Sequence, residues 1–178
     1  MNYAEIKYCD IANGLGCRTV LFVSGCRNAC KGCFQPETWA FDFGSSFDEK
    51  IQEQVIDSLA PAHIQGLTLL GGDPFEEENQ QALLPFIRKV KERYPSKDIW
   101  AYTGYVLDRD LVEGGRKYTK VTEELLSYID ILVDGPFMED RKNLKIQFRG
   151  SENQRIIDMN ESFKQGKIVL SSLNAKGL

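Results

Sequence analysis

Four continuous apolar runs of strand length, spaced along the chain with helical patterns between them, constrain this sequence most. They are Thr19–Val23 (TVLFV), Leu67–Leu70 (LTLL), Ile99–Thr103 (IWAYT) and Ile131–Asp134 (ILVD). A strand that shows no alternation of polar and apolar residues is buried on both faces, and that is the condition of strands in a parallel sheet. The segments between them read as crossover helices. Ser46 and Glu49 have capping-box spacing ahead of a stretch in which Ile51, Val55, Ile56 and Leu59 recur at helical intervals. A second helix is expected from Glu76, acidic at its start and basic at its end, with Pro85 as a kink or boundary. VTEELLSYI, from Val121, is a third. The expected class is therefore α/β, a mostly parallel sheet with crossover helices, in the form of an open sheet or partial barrel.

A chain of 178 residues suits one domain that buries roughly 70% of its unfolded surface. A net charge of −4 argues against general affinity for nucleic-acid backbones, which requires an excess of Lys and Arg. No run of about 18 apolar residues exists to span a bilayer, and MNYAEIKYCD lacks the features of a signal peptide, so a cytosolic location is expected. In that reducing compartment the five cysteines read as metal ligands or redox groups before disulfides. EGGRKYTK, Glu113 to Lys120, reads as an exposed insertion.

Unusual sequences follow the strands. Cys26, Cys30 and Cys33 come after the first in C-x3-C-x2-C spacing, and Gly71-Gly72-Asp73-Pro74 after the second. Thr103-Gly104-Tyr105 follows the third, Asp134-Gly135-Pro136-Phe137 the fourth, and Arg149–Arg155 (RGSENQR) an expected fifth strand, Lys145–Phe148 (KIQF). In parallel α/β sheets such loops share one edge, where ligands bind. Three clustered thiols suit an inorganic centre. Zinc is one reading, although a structural zinc site takes four ligands, and Cys9, Cys17 or the single histidine, His63, would have to complete it. A four-iron cluster held by three cysteines is the other, with one iron left open to a further ligand. No phosphate-binding loop is present, and a single histidine argues against a nucleophilic triad.

These motifs together resemble the radical S-adenosylmethionine (SAM) superfamily. DIANGLGCRTVLFVSGCRNACKGCFQPETW, LLGGDPF, KDIWAYTGY, IDILVDGPF and FRGSENQR, in that order from Asp10 to Arg155, resemble more closely the activating proteins of anaerobic ribonucleoside-triphosphate reductase. The resemblance implies a partial, TIM-like radical SAM barrel over residues 1–157 and an extension over 158–178. Cys26, Cys30 and Cys33 would ligate a [4Fe-4S] cluster whose open iron takes the amino and carboxylate groups of SAM. Gly32, Cys33 and Phe34 would lie along the adenine, and Gly71 and Gly72 would let the chain approach the methionine end. Asp73 or a nearby carbonyl would accept from the ammonium, while Thr103 and Asp134 are candidates for the ribose or ammonium. Asp134 equally suits a turn.

The implied activity is reductive cleavage of SAM and formation of a glycyl radical on the reductase, without catalytic side chains beyond the cluster and SAM. The implied partners are the reductase large subunit and a small electron donor such as flavodoxin; Phe137, Arg149 and Asn153, in loops flanking the pocket, are expected to contact the reductase, the alternative being that Phe137 packs in the core and Arg149 pairs with a surface acid. Two departures stand out: Phe34-Gln35 where the branch commonly has Tyr-Asn, and Pro136 where related activases carry lysine. Activation of another glycyl-radical enzyme, small-molecule radical SAM chemistry, and a non-catalytic iron–sulfur or zinc module are the alternatives.

Overall fold

The computed structural model describes residues 1–175, so the last three residues of the expected 158–178 extension lie outside the described residues. Seven strands form one mixed sheet: β1 (Asn2–Asp10), β2 (Cys17–Val23), β3 (Ser45–Ser46), β4 (Ile64–Gly71), β5 (Asp98–Tyr102), β6 (Ile131–Asp134) and β7 (Arg155–Asp158). Their order is β3-β1-β2-β4-β5-β6-β7. The central four, β2, β4, β5 and β6, are mutually parallel, and each carries one of the apolar runs, β5 ending at Tyr102, one residue short of the expected Thr103. The flanking strands β1, β3 and β7 are antiparallel to their neighbours. Among the described residues no helix is long and apolar enough to cross a membrane.

The two sheet faces are covered differently. One packs Leu21, Val23, Leu69, Ile99 and Leu132 against α1 (Glu49–Ser58), α2 (Glu77–Arg93) and, after the single turn α3 (Leu107–Asp110), α4 (Thr122–Ser127); α1, α2 and α4 contribute Val55, Ile56, Leu83, Phe86, Ile87 and Leu125. The other carries a small cluster of Trp100, Val133, Ile156 and Leu173, with Tyr102 and Phe148 against it. Arg18 is fully buried: its Nε donates to Thr68 Oγ1 at 2.7 Å, and its guanidinium pairs with Asp98 at 2.5 Å and lies over the Trp100 ring.

Local expectations are revised at several points. Asp48, not Ser46, caps α1 by accepting from the Ile51 amide at 3.0 Å, because Ser46 is drawn into β3 against Asn2. Helix α2 runs through Pro85, which sits on its exposed side. The carbonyl four residues earlier, on exposed Gln81, therefore meets water, and five large apolar side chains buried on the other side outweigh the roughly 3 kcal/mol of an interior proline. Lys145–Phe148 is not a strand. Phe148, at φ 55°, turns the chain, and the sheet ends instead with β7, so Arg149–Gln154 precede the last strand rather than follow it. Lys117, within the expected exposed insertion, is almost buried and pairs with Glu76 at 2.8 Å. Beyond β7, α5 (Met159–Gln165) and residues 166–175 fold back, with Leu170 bridging Ile157 and Leu173 in the smaller cluster.

Candidate functional site

The chain leaves β2 through Gly25, at φ 98°, where a Cβ would stand 2.3 Å from the Phe41 ring. Gly25 N then donates to Thr38 O at 2.8 Å and Cys26 N to Trp39 O at 3.1 Å, so the returning segment clamps the start of the cysteine loop. Ala29 (φ 45°) and Gly32 (φ 74°) wind the loop tightly enough for Cys33 N to reach Cys30 O at 3.1 Å. Cys26, Cys30 and Cys33 are free and half-buried. Together with Gly71, Gly72, Thr103, Gly135 and Phe137, from the loops at the carboxyl ends of the parallel strands, they line an open cavity of about 630 Å³. That volume is within the roughly 300–1,000 Å³ of small-molecule sites.

Two buried carboxylates hold this edge together. Asp73 accepts from Phe75 N (2.9 Å), Thr103 Oγ1 (2.8 Å), Gly104 N (2.9 Å) and Asn28 Nδ2 (3.1 Å), joining the cysteine loop to the ends of β4 and β5. Glu76, one turn on, accepts from Arg27 N and Arg27 Nη1 (both 2.7 Å), Tyr105 Oη (2.5 Å) and Lys117 Nζ (2.8 Å). Asn79 adds donors to Ser24 O and Asp73 O. Burial pushes Asp73 up to about 7 despite its donors. Burial, reinforced by Asp73, also pushes the Cys26 thiol up to about 12. Glu76 is held below the ordinary carboxylate range: burial raises it, but the bonds from Lys117, Tyr105 and Arg27 outweigh that.

The residues singled out in the sequence are distributed as follows. Cys33 and Phe34 line the cavity; Phe34 is 64% exposed and leans on Phe137 with ring centroids 5.2 Å apart, and Gly32 precedes them with Glu139 against it. Gly71 and Gly72 line it too, but the missing Cβ atoms are not what opens it. A Cβ on Gly72 would meet Gly25 O at 2.6 Å, and one on Gly71 would meet Val23 O at 2.6 Å. These glycines let the β4 turn press against the backbone of the cysteine loop rather than make room for a ligand. The Asp73 carboxylate already takes four donors, the number it can accept. Thr103 lines the cavity, with its hydroxyl spent on Asp73 and on the Tyr105 amide. Asp134 is buried beneath the edge, where it accepts from Arg155 Nε at 2.8 Å and Leu107 N at 2.8 Å. Glu76, Asn28 and Asn79 were not picked out in the sequence. The spacing Asp73-x-x-Glu76 at a helix start is the available signal, but the acids from Glu76 onward suit the helix dipole just as well, and that hides the bonding role of Glu76.

The thiols fit an iron–sulfur cluster better than zinc. Cys9 and Cys17 are bonded to each other, contrary to the expectation that cysteines here serve as ligands first; the β1–β2 hairpin brings their Cα atoms to 5.4 Å. Cys17 begins β2 and His63 precedes β4, so both lie at the sheet edge opposite the cysteine loop, and His63 is exposed. None of the three residues considered for completing a zinc site, Cys9, Cys17 and His63, therefore reaches the cysteine loop. Among the described residues no three His, Cys, Asp or Glu side chains gather around a single ion point. A cubic cluster asks for a wider triangle, since each thiolate binds a different iron.

A three-cysteine loop at the carboxyl edge of a parallel-centred α/β sheet defines an iron–sulfur protein, and the family model described as "4Fe-4S single cluster domain" matches residues 12–157. Among curated relatives, the anaerobic ribonucleoside-triphosphate reductase-activating protein of Pasteurella multocida (strain Pm70) is 44% identical over 158 residues, covering 88% of this chain and 96% of its own length. The protein of that name from Haemophilus influenzae is also 44% identical, over 88% of this chain and 97% of its own. The one from Enterobacteria phage T4 is 39% identical, over 88% and 93%. The chain belongs to the family of anaerobic ribonucleoside-triphosphate reductase-activating proteins.

Proposed function

We propose that this protein is a radical SAM enzyme that activates the anaerobic ribonucleoside-triphosphate reductase. The observation that carries the reading is the meeting of three free cysteines with the β4, β5 and β6 loop ends around one cavity, in a chain of this family. Cys26, Cys30 and Cys33 hold the [4Fe-4S] cluster, leaving one iron for SAM. When bound and reduced, the cluster supplies the electron that splits SAM into methionine and a 5′-deoxyadenosyl radical, which takes the α-hydrogen of a glycine in the reductase.

The chain's own part is binding and orientation. Glu76 and Asp73 fix the cysteine loop against β4 and β5, so the thiols keep their spacing. Phe34 offers its exposed ring to the adenine, and backbone carbonyls of the β4 turn, rather than the committed Asp73 carboxylate, receive the ammonium. Thr103 and Asp134 act behind these groups, as braces. In this reading residues 1–157 are the activase domain, the unclosed sheet is its incomplete barrel, and 158–178 are an extension whose described part, to residue 175, folds onto it. The compartment is the cytoplasm, and a small donor such as flavodoxin delivers the electron.

The test is anaerobic reconstitution with iron and sulfide. A brown protein that, once reduced, converts SAM to methionine and 5′-deoxyadenosine and leaves a glycyl-radical signal on added reductase supports the reading. A colourless zinc protein, or an iron protein that leaves SAM intact, overturns it.

A further inference from the structure

The hairpin loop between β1 and β2 takes no part in holding the cluster, yet it is tied down at several points. Cys9 and Cys17, bonded to each other, stand eight residues apart at its two ends. The loop, residues 10–16, folds back over the sheet face opposite the helices, the inner face. Asp10 Oδ1 accepts from Ala12 N and Asn13 N, both at 2.9 Å, and so sets its turn. Thr68 Oγ1, in the middle of β4, donates to Asn13 O at 2.9 Å, and Arg18 Nη1 donates to Leu15 O at 3.2 Å. Gly14 lies so close to the Arg18 side chain that a Cβ would stand 2.7 Å from its Cδ and 3.2 Å from the Trp100 ring. Ala12 and Asn13 thereby form part of the wall of the same cavity that the three free thiols line.

Three features make the Cys9–Cys17 bond a place of exchange rather than a fixed staple. Cys9 is exposed and Cys17 half-buried, so a thiolate from solvent reaches the Cys9 sulfur, and exposed disulfides are the labile ones. The strands do not depend on the bond. Strands β1 and β2 pair from Tyr3 with Val23 to Asp10 with Arg18, so opening the bond requires no refolding. Their register slips between Lys7 and Asp10, the stretch that contains Cys9, and such irregularities re-aim side chains. The third feature is the company the pair keeps. Cys26, Cys30 and Cys33 take up metal only as thiolates, so a medium that loads them also acts on Cys9 and Cys17.

We propose that Cys9 and Cys17 are a reversible dithiol–disulfide site for a small thiol of the glutathione class, and that the state of the bond sets how firmly loop 10–16 closes the inner-face wall of the cavity. In the first step the small thiolate attacks Cys9 Sγ, a mixed disulfide forms there, and Cys17 leaves as its thiolate. A second small thiolate attacks the sulfur of the first, carries it off as the small-molecule disulfide and releases Cys9. Two electrons thus pass from two small thiols to the bond, and their two protons end on Cys9 and Cys17. With the cross-link open, the loop keeps its hydrogen bonds but loses the tether between its ends, and it detaches from the inner face more often. This goes beyond the activase reading and does not rest on it, since neither SAM nor electron transfer by the cluster is involved.

In the experiment, cluster-loaded protein is equilibrated without oxygen in glutathione buffers of graded reduced-to-oxidised ratio, and free thiols are trapped by alkylation. Trypsin, cutting after Lys7 and Arg18, isolates both cysteines on one peptide, Tyr8 to Arg18, apart from the cluster thiols. That peptide should pass from linked to doubly alkylated within the series, with glutathione caught on Cys9 in between. Amide hydrogen exchange in residues 10–16 should be about tenfold faster in the open form than in the linked one, as local opening becomes easier. Cys9→Ser combined with Cys17→Ser should exchange at the open rate in every buffer. A peptide linked at every ratio, or at none, overturns the proposal, and so do equal exchange rates in the two forms. A double variant whose loop still responds to the glutathione ratio overturns it as well, because the response then originates at Cys26, Cys30 and Cys33.

Discussion

The thiols and the glycines differ in how their roles can be tested. Replacing Cys26, Cys30 or Cys33 by Ala should abolish stoichiometric iron uptake, whereas Cys9→Ala and Cys17→Ala, which remove only a hairpin cross-link at the opposite edge, should leave iron content intact; iron analysis after reconstitution decides. A Cys26 thiol near 12 is protonated throughout the neutral range, and ligation requires the thiolate. Loading must then release its proton, and apparent iron affinity should rise by about tenfold per pH unit for that ligand; proton release in weak buffer measures it. Gly72→Ala tests the interlock. Its Cβ meets the Gly25 backbone, which cannot swing aside, so the variant should lose about 1–3 kcal/mol and load iron poorly. Normal iron loading with weakened SAM affinity would return Gly72 to a ligand-facing role. The glycine pair was visible in the sequence, but its direction was not, because a missing side chain does not reveal which neighbour it admits.

At the level of elements, the parallel strands were readable because burial on both faces leaves uninterrupted apolar runs. Strand β1 was not: NYAEIKYCD pairs with β2 along its length and with the two-residue β3 only at Asn2 and Tyr3, and its residues are half-buried or exposed. The four residues of β7 are bounded by Arg155 and Asp158 and too short for periodicity, while KIQF has a strand's composition and no strand's geometry. The carboxylates that tie elements together were hidden for another reason, since pairings 29 to 49 residues apart leave no local pattern. Glu76 exemplifies this. It joins the start of α2 to the cysteine loop, to Tyr105 and to the 113–120 segment, and it is fully buried. Glu76→Ala would leave the almost buried Lys117 ammonium without its acid, and should cost about 3–5 kcal/mol. Urea denaturation of the cluster-free protein checks it, and a loss below about 1 kcal/mol would show that the network only decorates the loop.

For the whole molecule, the uneven covering of the sheet matters most. Helices bury one face, whereas the other relies on Leu173 and the segment behind it to shield Trp100 and Ile156. Leu173→Ala should therefore destabilise by about 2–5 kcal/mol, in the range of buried leucines elsewhere, seen as a lower melting temperature. No change would mean that the extension rests on the sheet without supporting it. The α/β class was legible from the strand runs, but this tail was not, because its few apolar residues gain meaning only from the half-bare surface they meet. That same bareness makes the molecule a reporter of its own occupancy. Whatever settles on the inner face binds the native state alone, so it raises the heat needed to unfold the chain. At a hundredfold excess over its dissociation constant a ligand adds about 2.7 kcal/mol. For a chain of this size that is a rise in melting temperature of roughly 5–11 °C, large enough to screen ligands by calorimetry before any reaction is run.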